Sequence, residues 1–209
     1  MRRARFKVTA LTCLLATAAL GLVVAHGRSP YAFEHRALEW LGPPSALGAW
    51  ANLAELLAVP IVSVVLVVSF AVGLVRRAVF RVAVYAVFAA AALLVSEHVA
   101  KPLVQRTYYG DLTFPSGHVT AVSATALAMW LALYPLLGKR ARNITLVLGA
   151  AWTLLMSLAV VGGHWHTPLD AVGSILLSVG TVTAGAAILE PIGARGLFMG
   201  AERARVRDG

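Results

Sequence analysis

The chain has 209 residues, of which 59% are hydrophobic and only 13% charged, and its mean hydropathy is +0.80. Soluble domains seldom look like this, whereas stacked apolar segments of membrane-spanning length do. The net charge of +9 does not point to nucleic acid, because the basic residues lie in short clusters between apolar stretches and form no basic face on a soluble fold.

In chain order, the first element is an apolar stretch near 7–26, preceded by Arg2, Arg3, Arg5 and Lys7. A basic lead, an apolar run and small residues also fit a signal peptide, although the run is long for one. The single cysteine, Cys13, lies inside it, which excludes an internal disulfide and a cysteine-based metal site. Further apolar stretches follow near 52–75, 79–100, 118–138, 143–163 and 169–190. Each is close to the ~20 residues that a helix needs to cross a bilayer. The third and fourth are separated by the polar, turn-rich "KPLVQRTYYGDLTFPSGH", the fifth and sixth only by "GHWHTP". The expected fold class is therefore all-α, a six-transmembrane helical bundle over 7–190, with a short N-terminus at 1–6 and a basic tail at 191–209.

Lys and Arg then orient the bundle. The N-terminus, the 2–3 loop (Arg76, Arg77, Arg81), the 4–5 loop (Lys139, Arg140, Arg142) and the tail (Arg195, Arg203, Arg205, Arg207) hold fourteen, against four on the other side: Arg28, Arg36, Lys101 and Arg106. The positive-inside rule places both termini in the cytoplasm, and the "PSGH" loop and "GHWHTP" turn outside. Cleavage of the first segment would not change that side. The basic clusters at 76–81 and 139–142 are read as topology signals only, and Trp40, Trp50 and Trp165 as an aromatic belt.

Both outward loops concentrate ionisable groups: Lys101, Arg106, Tyr108, Tyr109, Asp111, Ser116 and His118 on one, His164, His166 and Asp170 on the other. At a membrane boundary such groups are expected to be functional. Gly117 opens the fourth apolar stretch, where free helix N–H groups and the positive dipole end suit an anion. Lys101 and Arg106 can add charged hydrogen bonds to phosphate oxygens. Thr167 is a fitting N-cap and Pro168 a fitting first-turn residue of the sixth helix. A carboxylate four residues beyond His166 can hold one imidazole nitrogen and leave the other free to attack. Each residue also has a plainer reading: Lys101 as a snorkelling anchor, Asp170 as a helix-start charge, His118 and His166 as interfacial histidines. Glu97 and His98 are read as supporting at most, with Glu97 paired to Lys101 at i, i+4. Glu55, oddly placed so near lipid, has no assigned role.

On these motifs the chain resembles the type 2 phosphatidic acid phosphatase (PAP2) family of membrane phosphatases, related in its site to vanadium haloperoxidases. That family carries Lys-x6-Arg-Pro, Pro-Ser-Gly-His and Ser-Arg-x5-His-x3-Asp. "PSGH" at 115–118 matches the second in full, "HTPLD" at 166–170 the end of the third, and Lys101 the lysine of the first. The resemblance covers about 18–190. It implies a bundle of the PAP2/haloperoxidase type in which His166 attacks phosphorus and Asp170 orients it. His118 protonates the leaving group, and Ser116, Gly117 and Lys101 hold phosphoryl oxygens, with no metal or other cofactor needed. Two departures stand out: the first-motif arginine and proline would fall at Tyr108 and Tyr109, and Ser-Arg at Ala159 and Val160. Arg106, five after the lysine, is the candidate for one arginine's work, and His164 for part of the other's; Tyr108 is a further auxiliary candidate.

The expected activity is hydrolysis of a lipid phosphate or diphosphate, of the polyprenyl diphosphate or phosphatidic acid type, at the extracytoplasmic face. The expected partners are that substrate and membrane lipids. Arginine outnumbers lysine 15 to 3, and alanine and valine are abundant, which suggests a GC-rich bacterial genome and hence a bacterial plasma membrane. The rivals are a degenerate family member that binds lipid phosphate without turnover, and an anion-handling membrane protein.

Overall fold

The computed structural model describes residues 2–27 and 29–207, with the side chains of residues 2, 44–47 and 190–207 left aside. Helix α1 spans Arg2–Gly27, α2 Ala32–Leu41 and α3 Pro44–Val75. Helix α4, Val79–Val95, runs through a π-turn at Ser96–Ala100 into α5, Lys101–Val104. A small hairpin follows, β1 (Thr107–Tyr108) paired antiparallel with β2 (Asp111–Leu112). Then come α6 (Gly117–Leu133), α7 (Lys139–Gly162) and α8 (Pro168–Arg207). The basic tail falls in α8, and its side chains lie outside the described residues, as does Arg28.

Six of these helical stretches are long and apolar enough to cross a membrane: Arg3–Gly27, Gly48–Val75, Val79–Val104, Gly117–Leu136, Lys139–Gly162 and Pro168–Leu189. They mark a multi-pass membrane protein. Burial orders them: 56% of the α6 window and 61% of the α8 window are buried, against 28% or less for the other four. Helices α6 and α8 therefore form the axis. Helix α6 packs on α3, α4, α7 and α8, while α1 lies against α8. The outer faces show Leu11, Leu22, Val67, Val87, Leu94, Val147 and Leu155 to their surroundings. In water such a coat would be a liability; against lipid tails it is the expected surface.

Small side chains let the axis close. Ser123 on α6 donates to Ser178 on α8 at 2.7 Å, and Ser174 on α8 donates to the Ser116 carbonyl at 3.0 Å. Ser and Thr hydrogen bonds of this kind hold helices together where no hydrophobic force separates lipid from protein. One apolar cluster joins α4, α6 and α8 around Tyr85, Ala89, Ala128 and Val182. A second lies beneath the loops and joins α2, α3, α6, α7 and α8 around Leu38, Ala58, Val122, Val160 and Ala171. The arginines read as topology signals also cap helix ends: Arg81 donates to the Leu131 and Ala132 carbonyls, both at 2.9 Å, and Arg142 to Leu137 at 2.7 Å.

Three local features were not expected from sequence. The π-turn inserts one extra residue per turn just before Lys101, as π-turns often do beside functional sites. The hairpin turns on Tyr109 and Gly110, both with positive φ (50° and 92°), the backbone that a two-residue type I′ turn requires. Helix α2 lies between the first two spans, with Glu34 and Leu38 buried and Phe33 and Trp40 exposed.

Candidate active site

The two loops, the middle of α3, the end of α4 and the start of α6 border an open cavity of about 1200 Å³. Lys101, Tyr108, Gly117, His118, His164 and His166 line it, together with Glu55, Glu97 and Trp165. Six of the nine residues expected at the site thus meet in one cavity; Asp170, Arg106 and Ser116 stand behind its wall.

His166 sits on the turn between α7 and α8. Its own N–H and that of Trp165 both donate to the Val160 carbonyl, at 3.1 and 3.0 Å, which folds the turn back over the end of α7. The ring Nδ1 lies 3.0 Å from the Thr113 carbonyl and 3.8 Å from Asp170 Oδ2. A carbonyl only accepts, so Nδ1 is the protonated nitrogen and Nε2 carries the free lone pair. Asp170 is too far for a hydrogen bond but close enough to act by charge. Thr113 was not foreseen; it is placed by Phe114, which is 1% exposed and packs against Gly21 on α1 and Gly173 on α8.

Asp170 is fully buried, and both its oxygens are spoken for. Oδ2 accepts from the Thr167 N–H at 2.8 Å, the reach-back that satisfies a helix start, and Oδ1 accepts from Arg106 Nη1 at 2.9 Å. The Thr167 hydroxyl does not cap α8 as its place in sequence suggests; it accepts from the same Arg106 nitrogen at 2.9 Å.

Arg106 corrects the expectation of a phosphate-binding role. It is 1% exposed, does not line the cavity, and divides its two terminal nitrogens between Asp170 and Glu34, the latter an ion pair with both side chains fully buried. Two carboxylates and a hydroxyl hold its terminal nitrogens, and its Nε, which has no hydrogen-bond partner among the described residues, is buried away from the cavity as well. Glu34 was missed altogether. From α2 it accepts from Arg106, from the Tyr31 N–H at 2.9 Å and from the Leu169 N–H at 3.3 Å, so it also caps both α2 and α8. An acidic residue 72 positions from its partner leaves no signature in sequence.

Ser116 is corrected too. It is fully buried outside the cavity and serves as N-cap of α6, accepting from the Val119 N–H at 3.5 Å. Its backbone N–H reaches the Asp170 carbonyl at 3.4 Å, tying the PSGH loop to α8. Gly117 does face the cavity, and a Cβ there would overlap the Glu97 carboxylate, so any larger residue would have to push that side chain aside. Glu97 holds Lys101 Nζ at 2.8 Å through Oε2, while its buried Oε1 has no hydrogen-bond partner among the described residues.

His118 projects from the first turn of α6, with its Nε2 3.8 Å from Glu55 Oε1 on α3. That gives Glu55 a place: a carboxylate beside the imidazole whenever it is protonated. Trp165, expected in an aromatic belt, instead lines the cavity, its ring centroid 6.5 Å from that of His118. Trp40 and Trp50 are 86% and 68% exposed, as a belt requires. His164, with φ of 60°, binds the Gly42 carbonyl through Nε2 at 3.1 Å and so anchors the α2–α3 connection. Tyr108, at the place of the first-motif arginine, lines the cavity as a phenol; burial, reinforced by neighbouring Tyr109, pushes its pKa up to about 12.

Residues 96–191 match the model of the PAP2 superfamily. The match supports membership of the PAP2 superfamily over this segment. The matched stretch runs from Ser96 at the π-turn to the far end of the α8 span, and holds every residue expected at the site. Members of the PAP2 superfamily are generally phosphatases. No curated protein and no solved structure matches the chain.

Proposed function

We propose that this PAP2 protein is an integral membrane phosphatase that hydrolyses a lipid phosphate or diphosphate at the extracytoplasmic face through a phosphohistidine on His166. The observation that carries the reading is the state of that ring: Nδ1 is tied to the Thr113 carbonyl with Asp170 behind it, so Nε2 remains the nucleophilic nitrogen in a cavity shared with His118. The Nε2 lone pair forms the N–P bond as the P–O bond to the lipid alkoxide breaks, and protonated His118 gives its proton to that alkoxide. Water then attacks phosphorus, the N–P bond breaks, and the water proton returns to His118. Lys101 and the backbone N–H groups at the start of α6 stand where phosphoryl charge would be held. The apolar part of the cavity, at Ala58, Val59, Val62 and Leu93, lies on spanning helices and suits a substrate whose tail stays in lipid.

One observation favours a second reading. Among the described residues Lys101 is the one Lys or Arg lining the cavity, and it is paired with Glu97. Such a site could hold a lipid phosphate without turning it over. Phosphate release from phosphatidic acid and farnesyl diphosphate in detergent micelles separates the two. Turnover should survive EDTA, fall about 10³-fold or more in His166→Ala, and fall about 10²- to 10⁴-fold in His118→Ala. Equal release by wild type and His166→Ala would remove the phosphohistidine mechanism, and binding of both lipids with no release would establish the second reading.

A further inference from the structure

We infer that Glu34, acting through Arg106, is a positioning residue for the nucleophile: it sets the charge that Asp170 presents to His166. The inference rests on the phosphohistidine reading above and adds to it a residue outside the PAP2-matched segment, on a short helix between the first two spans.

The observations form a chain. Glu34, Arg106 and Asp170 are all fully or almost fully buried, and the guanidinium joins both carboxylates. Two carboxylates against one guanidinium give the group a formal charge of −1. With Arg106 and Asp170 alone it would be zero. As Nε2 of His166 bonds to phosphorus, its ring, still protonated at Nδ1, becomes cationic, and Asp170 Oδ2 stands 3.8 Å from that nitrogen. A neutral Arg–Asp pair offers such a ring little; a group with one negative charge to spare offers it a counter-charge in surroundings that screen poorly. Geometry supports the same role. Glu34 binds both Arg106 and the Leu169 N–H, one residue before Asp170, so it holds the guanidinium and the start of α8 in one frame. A simple docking contact needs neither the buried charge nor the shared guanidinium, and buried ion pairs seldom add net stability.

The test uses the full-length protein in detergent with whichever of the two lipids wild type hydrolyses, reading kcat, KM, the rate of phosphoenzyme formation after rapid mixing, and melting temperature. Glu34→Gln keeps the shape and removes the charge. It is expected to lower kcat and the phosphorylation rate about 10- to 100-fold, the size seen when outer hydrogen-bond partners of site residues are removed, with KM changed less than about threefold, because Glu34 does not touch the cavity. Glu34→Asp, which retains the charge on a shorter stem, should fall between wild type and Glu34→Gln, and serves if the glutamine variant does not fold. The inference is overturned if folded Glu34→Gln turns over at the wild-type rate, or if Glu34→Asp and Glu34→Gln lose kcat equally. If wild type releases no phosphate, or His166→Ala releases as much as wild type, the phosphohistidine reading itself falls, and that result is visible before any Glu34 variant is made.

Discussion

Lys101 enters the cavity already paired with Glu97, whose carboxylate also stands against Gly117 at the start of α6. A phosphate arriving there competes with an anion the protein carries itself. Glu97→Gln should therefore tighten binding, with KM for the lipid phosphate lowered about two- to tenfold, the worth of one charge at a helix N-terminus. Lys101→Ala should raise KM about tenfold or more, the loss of a charge-assisted hydrogen bond; both are read from initial rates in micelles, and an unchanged KM in either would place the phosphate elsewhere. At this scale the sequence was informative where chemistry follows a local motif: His118, His166 and Asp170 stand together as the PSGH and HTPLD spacings suggest. It misled at Arg106 and Ser116, whose residue types suit phosphate but whose side chains point into the protein. It was silent on Glu34 and Thr113, because a partner chosen by tertiary folding leaves no periodicity to read.

At the scale of elements, the PSGH loop is set by a wedge. Phe114 packs against Gly173 so closely that an added Cβ would overlap its ring. The ring is buried and cannot swing into solvent, so Gly173→Ala must shift either α8 or the loop. The cost is expected to be about 1–3 kcal/mol, as for other overpacked cores, seen as a lower melting temperature in detergent. Turnover should fall as well, since Thr113, one residue before Phe114, supplies the carbonyl that fixes His166. A variant that melts like wild type would show that the wedge is not tight. Long apolar elements were legible, because a span must be apolar along its whole length. The π-turn and the hairpin were not, since each depends on a few backbone angles that polar sequence allows but does not demand.

For the whole molecule, the six stretches read from hydropathy agree with the six helical spans to within a few residues at most ends. Sidedness rests on the distribution of Lys and Arg, and the bundle can be asked directly. In a Cys13→Ser background, a cysteine at Asp111 in the hairpin should react with a membrane-impermeant maleimide on intact cells, and one at Arg140 only after permeabilisation. The reverse pattern would turn the site inward. The Glu34–Arg106–Asp170 group bears on how such a molecule is made. Its members precede the second span, separate the third from the fourth, and begin the sixth. Glu34 and Arg106 can pair as a neutral couple while the chain is still being threaded into the membrane, but the third member arrives only with the last span. His166 arrives on the same turn. Until the sixth span is in place, the proposed site therefore lacks both its histidine and the carboxylate behind it, and the membrane receives that histidine together with the group that restrains it.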